Sequence, residues 1–500
     1  MTMEIHENRQ AVGIWRRASV ISLGLLLFAN LAEAKDFDFE KDSICYKITS
    51  EKEKKAEVAP CEKLGYYVGD ITIRETVING TDTLSVTGIG KKAFADCETL
   101  SSITMPTSIE TIDAGAFSGC KSLTSVTIPT GVTKIGDEAF KECTALTSIA
   151  IPNSVESLGS DVFKGCDALT SATISSSVET IGKSTFEDCK SLSGVSLEEG
   201  IKEIKGSAFK GCKSLASIAL PSSLEQLGDE AFEECTSLSS ITIPGDVKSV
   251  GKDAFKECTS LTGAGIADGV KKIESGAFEG CSALKSVSIP ATVTEIGDDA
   301  FKECTSLSGV TIPAKVKAIG SSAFEGCTSL TSVGIESGVE EIGKSAFKKC
   351  SSMQSVSLPS SIKKMGESAF EGCTSLTGIT IPATLETVES DAFKSCASMA
   401  SVSITGGVKE IKKTAFENCS AMTTLSIPAT VTEIGKEAFR GCVALTTIYS
   451  LNPTPPTLGN DETFSEVILT TATVHVPAAA LSTYKAAEYW SSFKTIVGDM

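Results

Sequence analysis

The chain has 500 residues, a formal net charge of −18, 18 cysteines and only 2 histidines. Its hydrophobic content of 41% is ordinary for a folded protein, which excludes collagen and wholesale disorder. The acidic balance argues against a nucleic-acid partner, because binding to phosphates requires clustered Lys and Arg.

Residues 1–34 have the features of a secretory signal peptide. An arginine pair at 16–17 precedes a short apolar run over 20–31, and Ala32-Glu33-Ala34 forms an A-x-A cleavage pattern. An N-terminal membrane anchor is the alternative, although the run is short for a bilayer span. Lys35, and not a lipoprotein Cys, follows the cut. We therefore expect residues 1–34 to be removed and the product to be secreted or held at the cell surface or envelope.

Residues 35–93 are predicted to form a β-rich N-terminal cap. Two of its strands, 44–48 and 57–62, are joined by a charged turn. A hairpin folded about residue 53 places Cys45 opposite Cys61. The pattern leaves two alternatives open, a disulfide between these cysteines or two unpaired strand residues.

From residue 94 onward the sequence is built from a 23-residue repeat. The repeat is marked by a Phe, from Phe94 to Phe439, and by a Cys in the third position after each Phe, from Cys97 to Cys442. A single unit cannot bury its apolar residues alone, whereas stacked units turn each apolar position into a continuous buried column. The period therefore predicts a solenoid of 16 coils over residues 94–448.

One unit, residues 123–143, shows what each coil should look like. Val126 and Ile128 alternate with Thr127, which predicts a short parallel strand with Thr127 facing outward. Later apolar residues line a second side of the coil. Residues 137–143 are predicted to form one or two helical turns that carry the Phe inward.

Sixteen of the cysteines lie in one column of the stack. Their β-carbons would project in parallel about 4.8 Å apart, wider than the roughly 3.5–4.5 Å that a disulfide requires. We expect free, buried thiols that pack as small apolar side chains. A metal site is disfavoured because no coil brings four ligands together.

The repeat L-x-x-[IV]-x-I-P-x-x-V-x-x-I-G-x-x-A-F-x-x-C resembles the BspA-like class of leucine-rich repeats over residues 94–448. The resemblance implies an α/β repeat solenoid, a rod or arc of about 16 coils with short parallel strands and one-turn helices. The family is typical of secreted and surface proteins of bacteria and some protists. Its members are associated with adhesion to host proteins or to other microbes.

A longer period is superimposed on the first. One phase of the repeat carries glycine only in every third unit, at Gly131, Gly200, Gly269, Gly338 and Gly407, which defines a 69-residue superperiod. Glycine permits a positive φ, so every third coil is expected to differ in backbone conformation. The alternative is that the spacing records duplication of a three-unit block and has no functional meaning.

The period ends at the proline-rich segment 452–456, and residues 449–500 are predicted to form a C-terminal cap. Residues 472–477 alternate as a strand, and 478–490 are predicted as a helix that contains Tyr484 and Trp490. Such a cap would cover the apolar edge of the last coil.

The chain shows no recognisable catalytic constellation, and we expect neither an enzyme nor a cofactor. Residues 338–345 match the phosphate-loop pattern G-x-x-x-x-G-K-S, but Glu340 and Glu341 would repel phosphate, so no nucleotide partner is expected. His475 alternates with valines and is predicted to be an exposed strand residue.

The outward strand positions are the candidate binding face. The array carries no Trp, no Tyr and one Arg, Arg440, so a tight pocket-based interface is not expected. The predicted function is weak multivalent adhesion of a monomer to host or microbial surface proteins or glycans. A structural spacer that displays its caps is the alternative. The candidate residues are Ser102, Thr104, Ser125, Thr127, Ser240, Thr242, Thr311 and Thr380.

Overall fold

Each repeat unit forms one coil of a parallel β-solenoid of about 18 coils. The computed structural model describes residues 35–62 and 65–500, so the predicted signal peptide lies outside the described residues. Pairing advances by one unit at each step, as in Ser148↔Ser171 and Thr180↔Glu203. The predicted repeat solenoid is thus confirmed.

Strands of two kinds stack along the solenoid. The longer strands form the side called here the strand face, and they comprise Leu100–Thr104, Ser148–Ile151, Ser171–Ile174, Gly194–Leu197, Ser240–Ile243, Gly263–Ile266, Ser286–Ser288, Gly309–Ile312, Ser332–Ile335, Ser355–Val356, Gly378–Ile381, Ser401–Ile404, Thr424–Ile427 and Thr447–Ser450.

Two-residue strands form a second ladder around the coil. They are Thr111–Ile112, Lys134–Ile135, Ser157–Leu158, Thr180–Ile181, Glu203–Ile204, Gln226–Leu227, Ser249–Val250, Lys272–Ile273, Glu295–Ile296, Ala318–Ile319, Glu341–Ile342, Lys364–Met365, Thr387–Val388, Glu410–Ile411, Glu433–Ile434 and Thr457–Leu458. This ladder corresponds to the second apolar side that the sequence predicts.

The third side is built from turns, and the predicted helical turns are wrong. In the unit at 137–143, Glu138 and Glu142 both have a φ of +57°, which an α-helix does not allow. The N–H groups of Glu138 and Phe140 donate to carbonyls of the next coil at 2.8 Å each. The backbone therefore bonds between coils on this side as well. The N–H groups of Lys141 and Cys143 close only single turns, to Glu138 O and Phe140 O.

The core is a set of straight columns. Phenylalanine rings stack face to face from Phe94 to Phe464, with neighbouring centroids 5.1–5.5 Å apart. The sixteen repeat cysteines are free and buried beside the rings. Each thiol from Cys120 onward donates to the carbonyl of a Phe in the preceding coil, as Cys120 Sγ does to Phe94 O at 3.1 Å. Burial of this kind supplies most of the cohesion between coils.

The buried thiols are expected to resist alkylation in the folded protein. Burial raises the pKa of Cys258 to about 12 and holds the pKa of Cys143 well above its usual range, so the reactive thiolate is scarce. We expect iodoacetamide at about pH 8 to leave the native protein unlabelled and to label all sixteen thiols in urea, as counted by intact mass spectrometry. Native labelling of thiols in the central coils would contradict the buried column.

The same burial is expected to make the fold less stable at alkaline pH. Thiols of the unfolded chain ionise near pH 8.5, whereas Cys258 in the fold keeps its proton to about pH 12. Above about pH 8.5, the thiols of the unfolded chain lose protons that the folded chain retains. The free energy of unfolding therefore falls as pH rises. Urea midpoints in reductant should be lower at about pH 9.5 than at about pH 7; equal midpoints would contradict the argument.

At the N-terminus, the strands before the first repeat pair with the first strands of both ladders, and this segment includes a disulfide. Cys45 and Cys61 are bonded, with their Cα atoms 5.6 Å apart. The hairpin register differs from the expected one, because Tyr46 pairs with Val58 and Cys61 lies beyond the strand. The strands before the first repeat are Phe39–Lys41, Ile44–Ser50, Lys55–Val58, Gly69–Thr72, Thr76–Asn79 and Asp82–Ile89.

The C-terminal segment continues the solenoid although its sequence leaves the period of the repeat. Thr473–Val476 and Thr495–Gly498 extend the strand face in parallel, and Phe464 stacks on Phe439 at 5.3 Å. The predicted helix over 478–490 is shorter than expected and broken into pieces. The helical elements are the α-helices Glu466–Thr471 and Leu481–Ala486 and the 3₁₀ turns Ala478–Ala480 and Trp490–Ser492.

Three of the five superperiod glycines have the expected unusual backbone. Gly200, Gly269 and Gly338 have φ values of +115°, +115° and +128°. A Cβ at Gly338 would clash with the carbonyl oxygen of Ala314 in the preceding coil. The close approach of two coils therefore favours glycine at position 338.

Replacing Gly338 with alanine is expected to lower the free energy of unfolding by about 1–3 kcal/mol. The cost combines the positive φ with the clash against Ala314. Gly263→Ala is the matched control, because no atom lies within 4 Å of its added Cβ. Urea unfolding of both variants measures the difference, and equal midpoints would show that the superperiod glycine is not needed for the fold.

Candidate binding face

Two columns of side chains project outward from the strand face, one containing Ser102 and the other Thr104. Through the coil of Thr424–Ile427, these columns contain only Ser, Thr, Gly and Ala. All eight predicted residues lie in them. Ser102 is half-buried, and the other seven are exposed.

The hydroxyl groups of the strand face are mostly unengaged. Ser102 donates to Asp70 Oδ1 at 2.6 Å. The side chains of the other seven predicted residues make no hydrogen bond to any residue within the described chain. The adjacent column differs, because Thr147 and Thr170 donate to carbonyls of the preceding coil at 3.2 and 3.0 Å. The strand-face hydroxyls can therefore both donate to and accept from a ligand.

Charged side chains lie outside the two columns and pair along the solenoid. Lys202 contacts Glu179 at 2.8 Å and Lys190 contacts Asp167 at 3.1 Å, in each case between neighbouring coils. Between the two ends of the array, the strand face is a neutral strip on an acidic protein. A neutral ligand therefore meets no charge that must be desolvated there.

The strand face also contains two clefts that the sequence analysis did not predict. The first, of about 410 Å³, lies where the strand Ser286–Ser288 is followed by Gly309–Ile312. The second, of about 500 Å³, lies between Ser355–Val356 and Gly378–Ile381. The superperiod was the available signal, because the second cleft repeats the first after three units.

Toward the C-terminus, the column that contains Thr104 continues into an aromatic pair. Tyr449, which is 36% exposed, stacks on His475 with ring centroids 4.8 Å apart. His475 Nδ1 lies 2.9 Å from Asp499 Oδ2. His475 is therefore a strand residue half-covered by its neighbours, and Tyr449 is an exposed aromatic side chain that the repeat pattern did not indicate.

The phosphate-loop pattern over 338–345 does not form a phosphate cradle. Val339 and Ile342 are fully buried core residues. Lys344 pairs with Glu367 at 2.9 Å, and Glu340 pairs with Lys363 at 2.6 Å. Among residues 35–62 and 65–500, no group of three or more potential metal-ligating side chains is clustered, and no helix is long and apolar enough to cross a membrane.

The comparisons with known proteins agree with this architecture. The BspA type leucine rich repeat region (6 copies) matches residues 76–193, 179–308, 254–377, 294–423 and 340–470. The chain belongs to the BspA-type leucine-rich repeat family. No curated protein matches it.

Two solved structures illustrate the likeness. A leucine-rich repeat protein from Bacteroides ovatus is 24% identical, with 88% of this chain and 100% of that chain covered and a TM-score of 0.49. A leucine rich cell surface protein from Faecalibacterium prausnitzii is 25% identical, with 75% and 96% covered and a TM-score of 0.46. Both are bacterial leucine-rich repeat proteins.

Proposed function

We propose that this BspA-type protein is a secreted or cell-surface adhesin that binds host or microbial surface proteins or glycans through many weak contacts. The observation that carries the proposal is the strand face, where exposed hydroxyl groups without internal partners recur along the array. Each contact contributes little, and their number supplies the avidity. The signal-like segment over residues 1–34 supports delivery outside the cell.

An alternative role is a spacer that holds a recognition site at its end. The specific observation in its favour is Tyr449, because exposed tyrosines are over-represented at binding hot spots. In that case the strand face itself would contact nothing. The two roles therefore differ in whether changes in the middle of the array alter binding.

The test is binding of residues 35–500 to an array of matrix proteins and glycans. A variant with Thr242→Glu, Thr311→Glu and Thr380→Glu places charge on the strand face at exposed positions. The matched control carries Ser237→Glu, Ser260→Glu and Ser329→Glu, at exposed turn positions outside the two columns. We expect the strand-face variant to lose binding and the control to keep it, whereas equal binding by both would favour the spacer.

A further inference from the structure

The two clefts are the same structure occurring twice. The floor and rim of the first include Val287, Ile289, Gly309, Thr311 and Ser332. The corresponding residues of the second are Val356, Leu358, Gly378, Thr380 and Ser401. Each residue of the second set follows its counterpart by one superperiod, which is three coils. At a coil spacing of about 5 Å, the clefts lie roughly 15 Å apart.

Both clefts arise because the strand-face sheet is interrupted. One sheet ends at Ser286–Ser288 and the next begins at Gly309–Ile312, and the same happens at Ser355–Val356 and Gly378–Ile381. The strands stay joined at one end, since Thr377 N donates to Gln354 O at 3.2 Å. Toward the other end the strands lose their pairing. As a result Leu358 is only half-buried, whereas Ile381, the equivalent residue of the following coil, is fully buried.

The chemistry of each cleft is apolar at the floor and hydroxylated at the rim. In the second cleft, Val356 and Leu358 form the floor, while Ser357, Thr380 and Ser401 stand around it as exposed hydroxyls. No charged residue lines either cleft. A sugar ring has the matching construction, because it carries C–H groups on its faces and hydroxyls at its edge. Volumes of about 410 and 500 Å³ suit one or two such rings.

An extended peptide inserted as an extra strand fits these clefts poorly. Insertion requires the flanking strands to be about 9.6 Å apart, which is twice the normal spacing. Behind the clefts the coils remain in contact, because Phe278–Phe301 and Phe347–Phe370 are both stacked at 5.3 Å. The clefts are therefore shallow, and their ligand must lie over the floor instead of joining the sheet.

We propose that the two clefts are subsites for a neutral, linear polysaccharide, with sugar units of one chain seated in both. This inference rests on the proposed adhesive function and specifies a ligand class and a position for it. A chain that spans both subsites gains avidity from the second contact, which a short oligosaccharide cannot gain. The superperiod then has a role, since it places equivalent subsites three coils apart.

The test replaces one glycine in each cleft with isoleucine, so that the new side chain occupies the cleft. Gly309→Ile and Gly378→Ile add side chains inside the clefts; the nearest atom to a new Cβ is 3.9 Å away at Gly309 and 3.1 Å away at Gly378. Gly194→Ile and Gly263→Ile form the matched control, on the same column but outside the clefts, with no atom within 4 Å. Urea unfolding checks that all variants remain folded.

The probes are laminarin, dextran, mannan and xylan, with polygalacturonate as the charged comparison and laminaribiose as the short one. We expect the unaltered protein to bind at least one neutral polysaccharide, and G309I/G378I to weaken that binding by about tenfold or more. Each single variant should reduce the preference for long chains. G194I/G263I, which alters the strand face outside the clefts, should weaken polysaccharide binding less than G309I/G378I does.

Three outcomes would overturn the inference: no binding to any neutral polysaccharide, unchanged binding by G309I/G378I, or a cleft-dependent preference for polygalacturonate. If T242E/T311E/T380E loses binding to a protein target and G309I/G378I keeps all its binding to neutral polysaccharide, the subsites are rejected. The proposed adhesive function is then retained. The two proposals can therefore fail separately.

Discussion

Replacing Trp490 with alanine is expected to lower the free energy of unfolding by about 3–5 kcal/mol and to promote aggregation. Trp490 is fully buried, lies 5.2 Å from the ring of Tyr484, and donates from Nε1 to Pro456 O at 2.8 Å. It closes the apolar end of the phenylalanine column beyond Phe464. Without this cover, the last coil exposes an apolar surface and an open strand edge.

Urea unfolding and light scattering during size-exclusion chromatography measure the effect. Tyr484→Phe is the graded comparison, because it keeps the ring but removes the hydroxyl that contacts Ser450 at 2.7 Å and donates to Asn452 O at 2.9 Å. It should cost about 1–2 kcal/mol. Removal of residues 451–500 should have the largest effect. Monomeric, soluble behaviour of residues 35–450 would contradict the capping role.

Phe255→Ala is expected to be the most damaging single substitution within the array, at about 3–5 kcal/mol. Phe255 is fully buried and stacks on Phe232 at 5.4 Å and on Phe278 at 5.3 Å. Truncation leaves a cavity and breaks both ring contacts. Because each coil contacts mainly its neighbours, the loss is concentrated at one interface and can divide the solenoid into two folding units.

The measurement is urea unfolding followed by circular dichroism and by hydrogen exchange. Thr242→Ala, on the exposed strand face, is the control and should change the stability by less than about 0.5 kcal/mol. Adding Phe278→Ala to Phe255→Ala should cost less than the sum of the two single variants, because they share one contact. Equal effects of Phe255→Ala and Thr242→Ala would mean that the ring column does not hold the coils together.

The columns of this fold could be predicted because the same residue returns at the same phase. Phe94 and Cys97 recur without a gap, and a fixed period converts position in sequence directly into position in the stack. The turns could not be predicted in the same way. Glu138 and Glu142 are ordinary residues with a positive φ, which is stabilised by bonds to the next coil and not by local sequence preference.

The C-terminal continuation was hidden because its spacing is irregular. The interval from Phe439 to Phe464 is longer than one repeat unit, so a search at the fixed period ends before the last coils, although the ring stack continues. The clefts were hidden for another reason. They depend on whether neighbouring strands pair, and the strands on both sides of an interruption have ordinary alternating sequences. Gly309 and Gly378 lie one superperiod apart, but Gly194 and Gly263 have the same spacing and the same phase of the repeat outside the clefts.

The most direct test of the adhesive account shortens the array without disturbing its ends. Deleting residues 300–368 removes one three-unit block and joins two coils at the same phase of the repeat. Deleting residues 231–368 removes two blocks in the same way. Surface plasmon resonance on an immobilised target from the array then gives the avidity of three proteins with identical caps. We expect roughly a three- to tenfold loss per block, whereas equal avidity of all three would show that the repeats only space the ends.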